Sequence, residues 1–178
     1  MNMIDKYEKL GNDYHWQWLG RARHYVAWVV DCFAHIPYEG NGSSVLDFGC
    51  GDGVPAWFLA NRGYGVYGYD VLEGPLEVAR QKVPGVVFSS VYPEHVDFDY
   101  VIAIGVLEHM ENPRLLVDAV LRAKKFSLIT VVNPGVIDRW GLEKEYTLGS
   151  LYELFEPQKI KLAAVGPADR LYIARSPQ

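Results

Sequence analysis

The stretch from Ser44 to Gly53 reads S-V-L-D-F-G-C-G-D-G, and the fold is best predicted from it. A short apolar run leads to Asp47, after which glycine occupies every second position, at Gly49, Gly51 and Gly53. Glycine has no Cβ and tolerates positive φ, so such a loop can turn sharply and let a ligand approach its backbone. A helix is predicted directly after the loop, with Pro55 in its first turn. A strand, a glycine loop and a helix start together predict a small-molecule binding corner.

Predicted strands and helices alternate along the rest of the chain. An apolar pattern with helical spacing predicts a helix over Tyr14–Ile36, whose buried face comprises Trp18, Tyr25, Val26, Val29, Val30 and Phe33. Further helices are predicted over Val54–Asn61, over Leu72–Val83, from an Asn112 cap with Pro113 as its first residue, and over Thr147–Phe155. The predicted strands are Val45–Phe48, Val66–Asp70, Val86–Phe88, Tyr100–Gly105, Phe126–Val132, Ile160–Val165 and Leu171–Ala174. We therefore expect a doubly wound, Rossmann-like α/β fold whose seven-stranded sheet is mostly parallel and ends in an antiparallel C-terminal hairpin.

Composition narrows the class of protein. The 178 residues fit one domain, expected over 1–178, with an N-terminal lid helix within 1–40 and the core over 41–178. The net charge of −5 argues against nucleic acid or anionic membranes as partners. No apolar run approaches the length of a membrane span, and no secretory leader is evident, so we expect a cytoplasmic protein. Cys32 and Cys50 are far apart and the histidines are scattered, so we predict no metal site.

Two cofactor readings fit the glycine corner. Gly51-x-Gly53-x-x-Ala56 satisfies the nicotinamide-dinucleotide fingerprint, with Asp70 at about the interval expected for an acid that binds the ribose. The alternative takes Asp47-x-Gly49-x-Gly51-x-Gly53 as the functional unit. The loop by itself leaves both readings open.

The run V-L-D-F-G-C-G-D-G closely resembles the first motif of the class I S-adenosylmethionine (SAM)-dependent methyltransferases. Ile104–Met110, I-G-V-L-E-H-M, resembles the segment after the fourth strand of small-molecule members, which often reads V-L-E-H. The helix at Thr147 followed by a hairpin resembles the C-terminal end of that family. The resemblance extends from Tyr14 to Ala174 and favours SAM over a nicotinamide cofactor.

The resemblance implies specific cofactor contacts. Asp70 would accept hydrogen bonds from the ribose hydroxyls, the glycine loop would approach the methionine moiety, and Asp47 would orient the loop or a water facing the ammonium group. Ser90 stands where the family commonly has an acid that meets the adenine. The predicted cofactor-binding residues are Asp47, Gly49, Cys50, Gly51, Gly53, Asp70, Val71, Ser90, Gly105 and Leu107.

The resemblance also implies methyl transfer to an oxygen or nitrogen of a small acceptor, such as a metabolite or a sugar. His109 is placed to take a proton from that acceptor. The aromatic cluster Tyr14–Trp18 resembles the family's lid helix, and Asn133–Trp140 is the loop predicted to contact the acceptor. Two alternatives are a methyltransferase-like binding or scaffold subunit without catalysis, suggested by the short connection before the fourth strand, and an NAD-binding oxidoreductase.

Overall fold

A computed structural model describes residues 3–21, 23–133, 144–155, 159–166 and 169–175. Within these ranges the chain forms seven α-helices, seven strands and one 3₁₀ turn. The helices are α1 (Met3–Leu10), α2 (Tyr14–Arg21), α3 (Arg23–Phe33), α4 (Val54–Ala60), α5 (Glu73–Lys82), α6 (Arg114–Arg122) and α7 (Leu148–Leu154), and the 3₁₀ turn is Leu107–His109. The strands are β1 (Ser44–Phe48), β2 (Gly65–Tyr69), β3 (Val87–Ser89), β4 (Tyr100–Ile104), β5 (Phe126–Val132), β6 (Lys159–Val165) and β7 (Asp169–Arg175).

The strands belong to a seven-stranded sheet with the order β3-β2-β1-β4-β5-β7-β6. The β1–β2, β2–β3 and β4–β5 pairs are parallel, whereas β7 pairs antiparallel with both β5 and β6. The predicted α/β fold, with a mostly parallel sheet and an antiparallel C-terminal hairpin, is therefore confirmed.

Contacts divide the chain into two compact units, one over residues 4–95 and one over residues 96–178 together with residues 1–3. In the first unit, β2 carries a glycine at its centre for a packing reason. A Cβ on Gly68 would lie 2.3 Å from Cδ1 of Phe88 on β3, a distance that no side chain can adopt. In the second unit, the almost wholly apolar β4 and β5 are buried along most of their length, as expected for central parallel strands covered on both faces.

The helix predicted over Tyr14–Ile36 corresponds to α2 and α3, with residue 22 between them outside the described residues. Its predicted end is wrong, because α3 stops at Phe33. The amides of residues 34–36 bond to carbonyls three residues back, a tighter turn that precedes Pro37. The predicted burial of Val30 is also wrong, since that side chain is half exposed. Among the described side chains of residues 27–36, those of Trp28, Val29, Cys32, Phe33 and Ile36 are buried, as predicted for Val29 and Phe33.

Two helix starts test the capping predictions. Thr147 caps α7 as predicted, because its Oγ1 accepts from the Ser150 amide at 3.2 Å while Ser150 Oγ accepts from the Thr147 amide at 2.9 Å. The start of α6 lies one residue later than predicted. Pro113 is the cap residue, and Asn112 Oδ1 accepts from the Arg114 amide at 3.1 Å.

Two further predictions concern membrane-spanning helices and the loop Asn133–Trp140, of which only Asn133 is described. Within the described ranges, no helix is long and apolar enough to cross a membrane. Of the loop predicted to contact the acceptor, residues 134–140 lie outside the described residues.

Candidate functional site

The glycine loop after β1 has the backbone conformation that its sequence predicts. The φ angles of Gly49, Gly51 and Gly53 are +72°, +52° and +86°, a region that residues with a Cβ rarely adopt. The amides of Gly49 and Cys50 both donate to the carbonyl of Tyr69, at 2.7 and 3.0 Å. The loop is thereby tied to the end of β2, where Asp70 follows.

Asp70 and the glycine loop are in direct contact. Asp70 Oδ2 accepts a hydrogen bond from the Gly51 amide at 2.8 Å, and Oδ1 accepts from the Leu72 amide at 2.9 Å. Burial raises the pKa of Asp70, while backbone hydrogen bonds from Leu72, Gly51 and Val71 oppose that rise by stabilising the carboxylate. An ionised carboxylate has about four acceptor sites, so the group retains the capacity to accept from a ligand hydroxyl. The structure thus brings together two of the predicted cofactor contacts.

Asp47 is a buried acid beneath the same loop. Among the residues that the structure describes, its Oδ2 atom has no hydrogen-bond partner. Burial raises the pKa of the carboxyl to about 8, with the charge of Asp70 adding to the effect. A backbone hydrogen bond from Ala56 opposes that rise. The group is therefore mainly protonated at neutral pH. Its role in orienting the loop or a water stays a prediction.

The other predicted contacts of this unit differ in their accessibility. Cys50 is buried, and burial raises the pKa of its thiol well above the ordinary value. Val71 is largely exposed, and the exposed Ser90 has a side-chain hydrogen bond with Glu73. A small ligand can reach Val71 and Ser90, whereas the Cys50 thiol contributes packing beneath the loop.

Asp52, inside the glycine motif, is a residue whose role the sequence did not reveal. Its side chain is fully buried and holds the first turn of α2: Oδ2 accepts from the His15 amide at 2.9 Å, and Oδ1 lies 3.1 Å from His15 Nδ1. The Trp16 indole also donates to the Asp52 carbonyl at 2.7 Å. The aromatic cluster predicted as a lid is therefore attached to the glycine loop through Asp52.

Tyr7 is the second residue that the sequence did not reveal. A Cβ added to Gly51 would lie 2.6 Å from Tyr7 Oη and 3.7 Å from the His15 ring. Tyr7 and Tyr14 are both buried, and their rings pack with centroids 5.1 Å apart. No local sequence pattern links α1 to a loop so distant along the chain. In the sequence, only the concentration of aromatic residues near the N-terminus indicated that this segment packs against another part of the fold.

In the unit that begins at Val96, the segment after β4 carries the remaining predicted residues. Gly105 has a φ of +63°, and its amide donates to Thr130 Oγ1 at 2.8 Å. Leu107 is completely buried, and His109, at the end of the 3₁₀ turn, is partly exposed. Glu108 between them is buried, and its carbonyl accepts from the Lys144 amide at 3.2 Å. These contacts fix the backbone around His109.

No metal centre is found in the part of the chain that the structure describes. There, no group of three or more His, Cys, Asp or Glu side chains is arranged to hold an ion.

Comparisons with known proteins identify the family of this chain. A family model described as a methyltransferase domain matches residues 18–162. The chain is 33% identical over 122 residues to a ubiquinone biosynthesis O-methyltransferase from Stutzerimonas stutzeri, covering 62% of this chain and 46% of that protein. It is 31% identical over 105 residues to the protein of the same name from Acinetobacter baylyi, covering 53% and 41%. The chain thus spans less than half the length of these curated relatives.

Solved structures share the fold at low sequence identity. A chain in the complex between the Haloferax volcanii Trm112 methyltransferase activator and a methyltransferase has a TM-score of 0.76 and 16% identity, covering 100% of this chain and 99% of that one. The N-methyltransferase NodS from Bradyrhizobium japonicum, crystallised with S-adenosylhomocysteine (SAH), has a TM-score of 0.70 and 16% identity, with 100% of both chains covered. The motif, the fold and the family match lead to one assignment. The chain belongs to the class I SAM-dependent methyltransferases, and its cofactor is SAM.

Proposed function

We propose that this chain moves a methyl group from SAM to an oxygen of a small acceptor, a metabolite or a sugar, with nitrogen as the alternative atom. The curated relatives are named O-methyltransferases, which favours oxygen. The acidic net charge favours a small acceptor over nucleic acid.

The contact between Asp70 and Gly51 carries the proposal. An adenosyl ligand fits this corner, because a carboxylate with spare acceptor capacity lies beside a loop of three glycines at positive φ, whose backbone is not covered by side chains of its own. Asp70 accepts from the ribose hydroxyls, and the backbone at Gly49 and Gly51 lies against the methionine moiety. Val71 and Ser90 lie beside the adenine.

Positioning is the main contribution of the protein to such a reaction. When bound, SAM would supply an electrophilic methyl group: an acceptor oxygen would bond to the methyl carbon as the bond from that carbon to sulfur breaks, and SAH would leave. Holding two reactants in that alignment removes much of the entropic barrier. A neutral imidazole at His109 takes the acceptor proton as the new bond forms, provided that the acceptor needs a base.

Calorimetry with SAM, SAH and NAD tests the proposal. We expect binding of SAM and SAH, and Asp70→Asn should weaken SAM binding at least tenfold because charge-assisted hydrogen bonds contribute about 1.5–3 kcal/mol each. This variant keeps the side-chain volume, and Glu77→Gln on the exposed side of α5 controls for the loss of one negative charge. Native affinity in Asp70→Asn would show that the ribose assignment is wrong.

The nature of the acceptor needs a separate experiment. SAM labelled at the methyl group, incubated with the protein and with panels of phenols, sugars and amines, should give labelled products from the oxygen acceptors. Labelled amines alone would move the assignment to nitrogen. SAM binding without turnover on any panel would favour the non-catalytic subunit, and binding of NAD but not SAM would contradict the proposal.

A further inference from the structure

The Tyr7 hydroxyl lies over the backbone of Gly51. Its Oη atom would be 2.6 Å from a Cβ at that position, so any side chain at residue 51 would collide with the tyrosine hydroxyl. The Tyr7 side chain is buried, and its hydroxyl has a hydrogen bond with that of Tyr14. Burial raises the pKa of Tyr7, and the charges of Tyr14, Asp70 and Asp52 add to the effect, so the hydroxyl stays protonated. The hydroxyl of Tyr7 therefore lies beside Gly51, the residue whose amide bonds to Asp70.

Asp52 keeps the neighbouring chain in this place. It accepts from both the amide and the ring of His15, and its carbonyl accepts from Trp16, so three hydrogen bonds attach the start of α2 to the glycine loop. The amide of Gly11 bonds to the carbonyl of Tyr7 at 2.8 Å, which closes the end of α1 just before α2 begins. Asp52 is thus bonded to the start of α2, and the turn at Gly11 connects α2 to the helix that carries Tyr7.

We propose that Tyr7 is a cofactor-binding residue, whose hydroxyl makes a hydrogen bond with the amino-acid end of SAM, and that Asp52 is the positioning residue that holds it over Gly51. This inference rests on the proposed function, because it requires SAM to lie along the glycine loop. A phenol suits this place because it both donates and accepts, and the amino-acid end of SAM carries an ammonium donor and a carboxylate acceptor. The acids Asp52 and Asp70 add negative charge that favours the ammonium group.

The test compares two ligands that differ only at the proposed contact. SAH has the amino-acid end, whereas 5′-methylthioadenosine keeps the adenosine and the thioether sulfur and lacks that end. Removing the hydroxyl with Tyr7→Phe should weaken SAH binding about tenfold in calorimetry, the effect of one hydrogen bond to a charged group. Affinity for 5′-methylthioadenosine should stay at the wild-type value.

Tyr14→Phe is the matched control. It breaks the same hydrogen bond between the two tyrosines, yet it leaves the Tyr7 hydroxyl over Gly51. We expect this variant to bind SAH within about twofold of wild type. Equal losses in the two variants would show that the hydroxyl pair acts through packing alone, and that result would overturn the proposal. Wild-type SAH affinity in Tyr7→Phe, or an equal loss for both ligands, would overturn it as well.

Failure of the proposed function has a different signature. A wild-type protein that binds neither SAM nor SAH would overturn both statements, whereas binding that is insensitive to Tyr7→Phe would overturn only the one about Tyr7. Asp52→Asn, followed by hydrogen exchange on the ligand-free protein, tests the positioning role. Amides of residues 14–21 should exchange faster and SAH should bind more weakly. Unchanged exchange together with unchanged affinity would remove Asp52 from the proposal.

Discussion

Replacing Asp47 by asparagine should change how the stability of the protein depends on pH. Asp47 is completely buried, and its pKa is raised from the ordinary 3.8 to about 8. Below pH 4 the carboxyl is protonated in both the folded and the unfolded chain, so its ionisation has no effect on folding. Between pH 4 and pH 8 the unfolded chain releases this proton while the folded chain retains it, and stability is lost as pH rises. Asparagine has no proton to lose, so the variant lacks this penalty.

The expected magnitude follows from the pKa of the carboxyl. Each pH unit in this range corresponds to about 1.4 kcal/mol. The difference in free energy of unfolding, Asp47→Asn minus wild type, should therefore increase by about 3 kcal/mol from pH 5 to pH 7. The asparagine amide would place hydrogens where Asp47 Oδ2 has no partner among the described residues. Leaving them unsatisfied costs about 1–3 kcal/mol at every pH, so the slope with pH is the diagnostic quantity.

Urea denaturation of the ligand-free proteins at pH 5, 6, 7 and 8 measures this difference. Asp118→Asn, on the exposed side of α6, controls for the removal of one carboxyl group from the surface. A difference between Asp47→Asn and wild type that stays constant within about 0.5 kcal/mol from pH 5 to pH 7 would refute the reasoning, because buried and protonated Asp47 must produce a slope.

Two further predictions concern the second unit. Thr147→Ala should lower the free energy of unfolding by about 1 kcal/mol, because it removes the hydroxyl that caps α7. Thr147→Ser keeps a hydroxyl and should retain most of the stability. Denaturation curves that coincide for wild type and Thr147→Ala would contradict the capping role. His109→Ala should lower turnover at saturating acceptor about a hundredfold or more, with the affinity for SAH unchanged. His35 is exposed, and His35→Ala serves as the control. Undiminished turnover in His109→Ala would show that no base is needed at His109.

Local patterns predicted the elements of the fold because their causes are local. Apolar runs long enough for one strand predicted β1, β4 and β5, and the positive φ angles at Gly49 and Gly51 follow from the lack of a Cβ in that loop. Helix ends were less predictable, since the end of α3 depends on how residues 34–36 turn before Pro37. The eight-residue α1 was not predicted, although Met3, Tyr7 and Leu10 recur at helical spacing, because two turns of helix have little stability without tertiary packing.

The sequence by itself determined the family and the glycine motif, because the spacing of Asp47, Gly49, Gly51 and Gly53 is a property of ten consecutive residues. Only the tertiary structure decided which other side chains reach that motif. Tyr7 over Gly51, and Asp52 bound to His15, are contacts between segments far apart along the chain. The raised pKa of Asp47 likewise arises from burial by the folded chain, which no local pattern records. Contacts between distant segments depend on how the whole chain packs, and no single stretch of the sequence contains that information.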